Sequence, residues 1–240
     1  MTIKHEIKQL ALKFGVELKR YNASESYEAR VFRQLKVHDI DTVIDVGAND
    51  GGYGRFLRNG GFQGNILSFE PLLDAHSRLV QAAAADSAWY IAPRLAIGNE
   101  DGEIEINVAG NSTSSSILPM KALHADAAPQ SRYVSVERVR ISRLDTFSHP
   151  VLDRAKLILL KIDTQGYEMP VLQGADHLLA RVSGLQLEMS LAPLYEGQAL
   201  YRQIIDWLAE RGFSLWNVIP GFTDPVSGRM LQMDGIFFKD

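Results

Sequence analysis

The sequence predicts an α/β domain built on a mostly parallel sheet with an antiparallel edge. Three observations predict it. Short apolar runs alternate with amphipathic stretches along almost the whole chain, as strands connected through helices do. Two of those runs, Val43 to Val46 and Leu157 to Ile162, are nearly continuous in apolar residues, as strands covered on both faces are. The last two strand candidates, Phe213 to Val218 and Gly235 to Phe238, are joined without a helix, which suits an antiparallel pair.

In chain order, residues 2 to 20 come first. Ile3, Ile7, Leu10, Ala11, Phe14 and Leu18 recur at intervals of three and four and define a helical face. Ser24 or Ser26 can cap a second helix with Ala29, Val31, Phe32 and Leu35 on its buried side. Residues 1–40 are expected to form a helical segment packed on a main domain of residues 41–240. The first strand, 42 to 46, runs into a glycine-rich turn and a helix from Tyr53 to Leu57, which Gly60 and Gly61 end. Residues 64 to 71 read as a second strand closing on Glu70 and Pro71. Leu72 to Ala85 is an alanine-rich helix. Trp89 to Ala92 is a third strand that continues after Pro93 into Leu95 to Gly98.

Glu103 to Val108 alternates as an extra strand. Residues 110 to 133 are the least regular part of the chain. A loop of that length is either a lid or binding loop, or a surface insertion. Tyr133 to Ser142 alternates again, and the central strand at 157 to 163 follows. Its turn is Thr164 to Tyr167, and Glu168 opens a helix with Val171, Leu172 and Ala175 inward, where a cap interaction suits the glutamate. Residues 184 to 189 are the next strand. Ala199 to Arg211 is a helix with Tyr201, Ile204, Ile205 and Leu208 inward, stopped by Gly212.

Composition narrows the function. With 240 residues the chain can bury one sizeable core. A net charge of −4, with both signs interspersed, argues against a nucleic-acid surface, which would need a basic stripe. No cysteine is present, so disulfides, thiolate catalysis and cysteine-ligated zinc are excluded. No apolar run approaches the ~20 residues of a membrane span, and the N-terminus lacks a signal-peptide apolar region. A cytoplasmic location is expected. The six histidines, His5, His38, His76, His124, His149 and His177, show no metal-ligand spacing; His124 stands apart by lying in the candidate lid.

The chemistry centres on Asp45-x-Gly47-x-Asn49-x-Gly51 after the first strand. This differs from the G-x-G-x-x-G of dinucleotide enzymes. An acidic residue at the strand end would repel a pyrophosphate and suits a ligand with an ammonium group and no phosphates, such as S-adenosylmethionine. Glu70 lies about twenty residues beyond the turn, where a carboxylate reaches ribose hydroxyls in this fold. Small Ala96 leaves room for an adenine ring. Asp163, at a strand's carboxyl end, is either a general base or a contact for the cofactor's amino group. Glu188 ends the next strand on the same rim and either binds substrate or pairs with Lys161. Together Asp163 and Glu188 could also chelate magnesium, although no dense acidic cluster is present. Tyr195 and Phe222, on turns, are candidates to stack on a sugar ring or lipid, and Trp216 is expected in the core. An oxidoreductase on a similar sheet, or a binding module without turnover, are the competing readings.

Several of these segments carry a resemblance. The chain resembles the FkbM-type methyltransferases, a branch of the class I S-adenosylmethionine-dependent enzymes, from about Thr42 to Asp240. The marks are Asp45-Val46-Gly47-Ala48-Asn49, Ser68-Phe69-Glu70-Pro71, Arg143-Leu144-Asp145, Leu160 to Glu168, Glu188, Pro193 to Gly197, and the Gly228 to Phe237 segment. The resemblance implies a Rossmann-like three-layer sandwich with a seven-stranded sheet. It also implies O-methylation of a hydroxyl on a sugar, glycolipid or polyketide-like product. Carried over by position, Asp45, Gly47, Ala48, Asn49 and Gly51 would shape the methionine site. Glu70 with Pro71 would hold the ribose, the region of Ala96 would flank adenine, and Asp163 would stand beside the methyl group, with Glu188 as its catalytic neighbour. One departure is Gln165, where many members carry glutamate, which weakens position 165 as a base or metal ligand.

Overall fold

A computed structural model describes residues 3–239; Met1, Thr2 and Asp240, at the ends of the N-terminal and closing segments read above, lie outside the described residues. The chain divides into two compact units, residues 1–38 and 39–240. The first holds α1 (Ile3–Lys13) and α2 (Tyr27–Val37). Of the two candidate caps, Ser26 fills the role: its hydroxyl accepts from the Ala29 N–H at 3.3 Å. The apolar face of the first helix is present, but Ile7, Leu10 and Phe14 are exposed.

The second unit is built on a seven-stranded sheet in the order β3-β2-β1-β7-β8-β10-β9. Its strands are β1 (Thr42–Val46), β2 (Asn65–Phe69), β3 (Trp89–Ile91), β7 (Ile158–Ile162), β8 (Val182–Ser190), β9 (Phe213–Pro220) and β10 (Gln232–Lys239). β1 lies between β2 and β7, parallel to both, with Thr42 opposite Asn65 on one side and Ile158 on the other. All five β1 residues are buried, which accounts for the apolar run. The antiparallel edge is β10 paired to β8 and to the outermost β9.

Side chains alternate between the two faces of this sheet. Ile44, Val46, Leu67, Phe69, Leu160 and Ile162 join one core with Val171 and Leu172 of α7 (Glu168–Gln173) and Ile204 and Leu208 of α8 (Tyr201–Ala209). The alternate positions, including Asp45, Ser68 and Lys161, face the side of α3 (Gly52–Asn59), where the Tyr53 ring meets the Lys161 ammonium. Helices on both faces make the three-layer sandwich.

A second, three-stranded sheet was not expected as a separate unit. It has the order β4-β6-β5, from β4 (Ala96–Ile97), β5 (Gly102–Ala109) and β6 (Tyr133–Ser142). The third strand read from the sequence therefore does not continue past Pro93. Its two halves belong to different sheets, because proline has no N–H to extend the ladder.

Two aromatic expectations are also corrected. Trp216 lies on the outermost strand, 46% exposed, with its edge against Phe238. Tyr195 is fully buried because its segment bridges to Met120, so it presents no face to a ligand.

Candidate active site

The crevice follows from the strand order. From β1 the chain turns to β2 and β3 on one side and returns on the other as β7, so the carboxyl ends of β1 and β7 face a topological switch point. The turn after β1 presses against the end of β7. A methyl group on Gly47 would stand 1.9 Å from the Asp163 carbonyl oxygen, and φ there is +81°. Only glycine meets both demands. Gly47 and Ala48 donate their N–H groups to the Phe69 carbonyl at 3.1 and 3.0 Å, tying the turn to the end of β2. Glu70 completes the tie. Its Oε2 accepts from the Asn49 N–H and its Oε1 from the Leu72 N–H, both at 2.8 Å. Burial pushes this carboxyl up to about 7 against those two N–H groups.

Gly47, Asn49, Glu70, Pro71, Ala96 and Asp163 all line the resulting cleft. Asp45, Ala48 and Gly51 do not. Asp45 is held back from the cleft in this structure. It lies in the middle of the sheet, opposite Ser68 and Lys161, with 0% of its surface exposed. The Ser68 hydroxyl donates to its Oδ2 at 3.3 Å, and the Lys161 ammonium stands 3.4 Å from its Oδ1. Ala48 is buried behind its backbone bond to Phe69, and Gly51 caps α3 against the Trp89 ring.

Lys161 is the hub of a buried polar row. Its ammonium contacts Asp45, Asp163 at 3.4 Å and the Gly47 carbonyl at 3.5 Å, and sits 5.3 Å above the Tyr53 ring. Burial works against this ammonium, but Asp163, Asp45 and Asp234 outweigh it and hold the lysine charged. The row continues on both sides. Trp89 Nε1 donates to Ser68 Oγ at 3.0 Å, Tyr53 donates to Gln186 at 2.8 Å, and Gln186 donates to Asp234 at 2.8 Å.

Where β7 ends, the Asp163 N–H still pairs with the Val46 carbonyl at 3.0 Å, but its side chain is 37% exposed. Glu168 caps the following turn, as expected. Its Oε1 accepts from the N–H groups of Thr164 and Gly166 at 3.1 and 3.0 Å and from the Thr164 hydroxyl at 3.3 Å. Burial pushes its carboxyl up to about 7.

Segment 110–121 walls the cleft. Asn107 bridges to Ser116, whose hydroxyl donates to the Gln165 carbonyl at 2.7 Å. Ser112, Thr113, Ser115 and Ser116 all face the cleft.

A second cavity opens beyond it and shares Thr113, Asp163 and Gln165 with the first. Glu188, His124, Gln130, Gln232 and Phe222 are among its other walls. Glu188 Oε2 accepts from Gln165 Nε2 at 2.6 Å and Gln232 Nε2 at 2.5 Å, and does not pair with Lys161. Burial, then the charges of Asp163, Glu168 and Asp234, raise its carboxyl well above the ordinary range. Burial lowers His124, packed against the Tyr195 and Phe222 rings, to about 4.

Asp163 and Glu188 do not fit a magnesium site. Gln165 donates amide N–H groups to both carboxylates, at Asp163 Oδ1 and Glu188 Oε2, and the Lys161 ammonium takes Asp163 Oδ2. Among the described residues, no group of three or more His, Asp or Glu side chains could hold a metal ion. Sequence reasoning assigned no role to Gln165, Gln232 or the loop serines at the site. The serine-rich run at 112–116 was the available signal for the wall, whereas Gln232 lies in the Gly228 to Phe237 segment, which carried the resemblance but pointed to no single residue.

The sheet order and the crevice at the β1–β7 switch point define a Rossmann-like methyltransferase architecture. The model of the methyltransferase FkbM domain matches residues 45–215. The chain belongs to that family of S-adenosylmethionine-dependent methyltransferases. A search of curated proteins returns no match.

Several solved structures are similar to the chain at low identity. One is a candidate RNA methyltransferase from Pyrococcus horikoshii, 12% identical, covering 99% of each chain at a TM-score of 0.47. Another is TehB from Haemophilus influenzae, 9% identical, covering 88% of this chain and 62% of that one at 0.48. A third is the magnesium protoporphyrin IX methyltransferase of Synechocystis PCC 6803 with bound S-adenosylmethionine, 10% identical, covering 100% and 98% at 0.45.

Proposed function

We propose that the protein transfers a methyl group from S-adenosylmethionine to a hydroxyl of a sugar, glycolipid or polyketide-like acceptor. The observation that carries this reading is the junction of two cavities at Thr113, Asp163 and Gln165. The first cavity suits the donor. Glu70 offers a buried carboxylate to ribose hydroxyls, and Leu95, Ala96 and Ile97 offer an apolar wall to a flat base. The bound donor supplies an electrophilic methyl group on a sulfonium. The protein's part is to align acceptor and donor and to receive the acceptor's proton, for which Asp163 is the reachable base.

The second cavity suits a neutral, hydroxyl-rich acceptor. It is walled by amides, hydroxyls and two carboxylates, with Phe222 for the apolar face of a ring. No lysine or arginine is among its lining residues, so a phosphorylated or nucleic-acid acceptor finds no partner there. The test is transfer of labelled methyl from S-adenosylmethionine to an extract of the source cell, with mass spectrometry of the product. A labelled neutral glycoside, glycolipid or polyketide supports the reading, and label confined to RNA or protein overturns it.

A further inference from the structure

The turn after β7 carries one residue whose contacts exceed what a turn needs. Gln165 has φ +54°, in the left-handed region that residues other than glycine seldom occupy. Both sides of it are fixed. Glu168 holds the N–H groups of Thr164 and Gly166, and Ser116 holds the Gln165 carbonyl. The side chain is equally determined. Its Oε1 accepts from the buried Tyr195 hydroxyl at 2.8 Å. Its Nε2 donates to Asp163 Oδ1 at 2.9 Å and to Glu188 Oε2 at 2.6 Å. An amide nitrogen carries two hydrogens, and here two carboxylates take them. The reversed amide would turn its oxygen toward both carboxylates, so the network fixes the orientation.

We propose that Gln165 is a positioning residue: its amide sets the spacing and orientation of Asp163 and Glu188 across the neck between the donor cleft and the acceptor cavity. The proposal rests on the methyl-transfer reading for its purpose but not for its geometry. A glutamate in the same place would add a third carboxylate and remove both donors. Lys161 bonds Asp163 from the other side, through Oδ2. Gln232 shares Glu188 Oε2, which leaves Oε1 engaged by neither amide. The charged groups around Glu188 are Asp163 and Lys161 on the β7 side, Glu168 at the start of α7 and Asp234 on β10. Against three carboxylates, the N–H from Gln165 is one of the few groups that favour the ionised form of Glu188.

The test follows the Glu188 carboxyl carbon by 13C NMR through a pH titration, with calorimetric titration of S-adenosylhomocysteine alongside. In Gln165→Met the Glu188 midpoint should rise by about one pH unit or more, the effect of losing a hydrogen bond to a charged group. Affinity for S-adenosylhomocysteine should stay within about threefold. Gln165→Glu should move the midpoint further and decides the matter if the methionine variant does not fold. Tyr195→Phe, which frees the amide to turn, should give a smaller shift in the same direction. A midpoint unchanged in the folded variants, with only a lower melting temperature, overturns the inference. Failure of the wild-type protein to bind S-adenosylhomocysteine overturns the donor reading instead and leaves the Glu188 result standing.

Discussion

The turns after β1 and β7 both follow a buried parallel strand, pass through left-handed residues and are stapled by a buried glutamate. Gly47, Asn49 and Gly51 make the first turn, and Gln165 and Gly166 the second. Glu70 holds one and Glu168 the other, and burial lifts both carboxyls to about 7. The difference lies in the acidic residue of each strand. Asp45 is sealed within the sheet beside Lys161, whereas Asp163, one step past the end of its strand, reaches the cleft. The last step of the pleat decides which aspartate reaches the cleft: Asp45 is buried in the sheet and Asp163 is 37% exposed.

The largest test of this contrast is Gly47. Gly47→Ala meets both a backbone collision and a left-handed φ, and should cost at least about 3 kcal/mol and abolish binding of S-adenosylhomocysteine. Gly61→Ala is the control: it has a positive φ of +87° but open space, and should cost only about 1 kcal/mol with binding intact. Thermal melts and calorimetry separate the two.

Lys161→Met comes next. It strands the buried Asp45 carboxylate and should destabilise by about 3–5 kcal/mol. The double variant Asp45→Asn/Lys161→Met removes both charges and should recover much of that loss; equal melting temperatures for single and double variants would contradict the pairing.

Asp163→Asn probes the other half of the comparison. Turnover should fall by about 10²–10⁴ with affinity for S-adenosylhomocysteine largely kept. A large loss of affinity would instead make Asp163 a donor contact.

The smallest effect concerns the stapling glutamates. Glu168 titrates near 7 in the fold against an ordinary 4.5, so the folded state keeps a proton that the unfolded chain releases between those values. Its contribution to stability is complete below 4.5 and is lost as pH rises through 7, amounting to at most about 3 kcal/mol. Glu168→Gln should flatten the fall of melting temperature with pH over this window. Glu70 keeps part of the slope. His124, lowered to about 4, works in the opposite sense, adding stability as pH rises from 4 to 6.5.

Much of the scaffold was legible because its signals are local. The β1 and β7 runs, the Ser26 cap and the glycine turn each follow from neighbouring residues. The burial of Asp45 was not legible because it depends on Lys161, a partner 116 positions away in the chain but directly opposite in register. Trp216 was misread because β9 is the outermost strand, with a neighbour on one side only, which leaves the indole 46% exposed. The second cavity was illegible as a unit, since Thr113, His124, Glu188 and Gln232 come together only through the sheet order.

That order also has a consequence for the two cavities. β10, the final strand of the chain, does not add to the rim but threads between β8 and β9, and brings Gln232 to Glu188. The first cavity is lined by residues between Val46 and Gln165 and draws nothing from that strand, whereas the second takes Gln232 from it. The two cavities therefore differ in how much of the chain each draws on: the first closes with the turn after β7, the second only when β10 is in place.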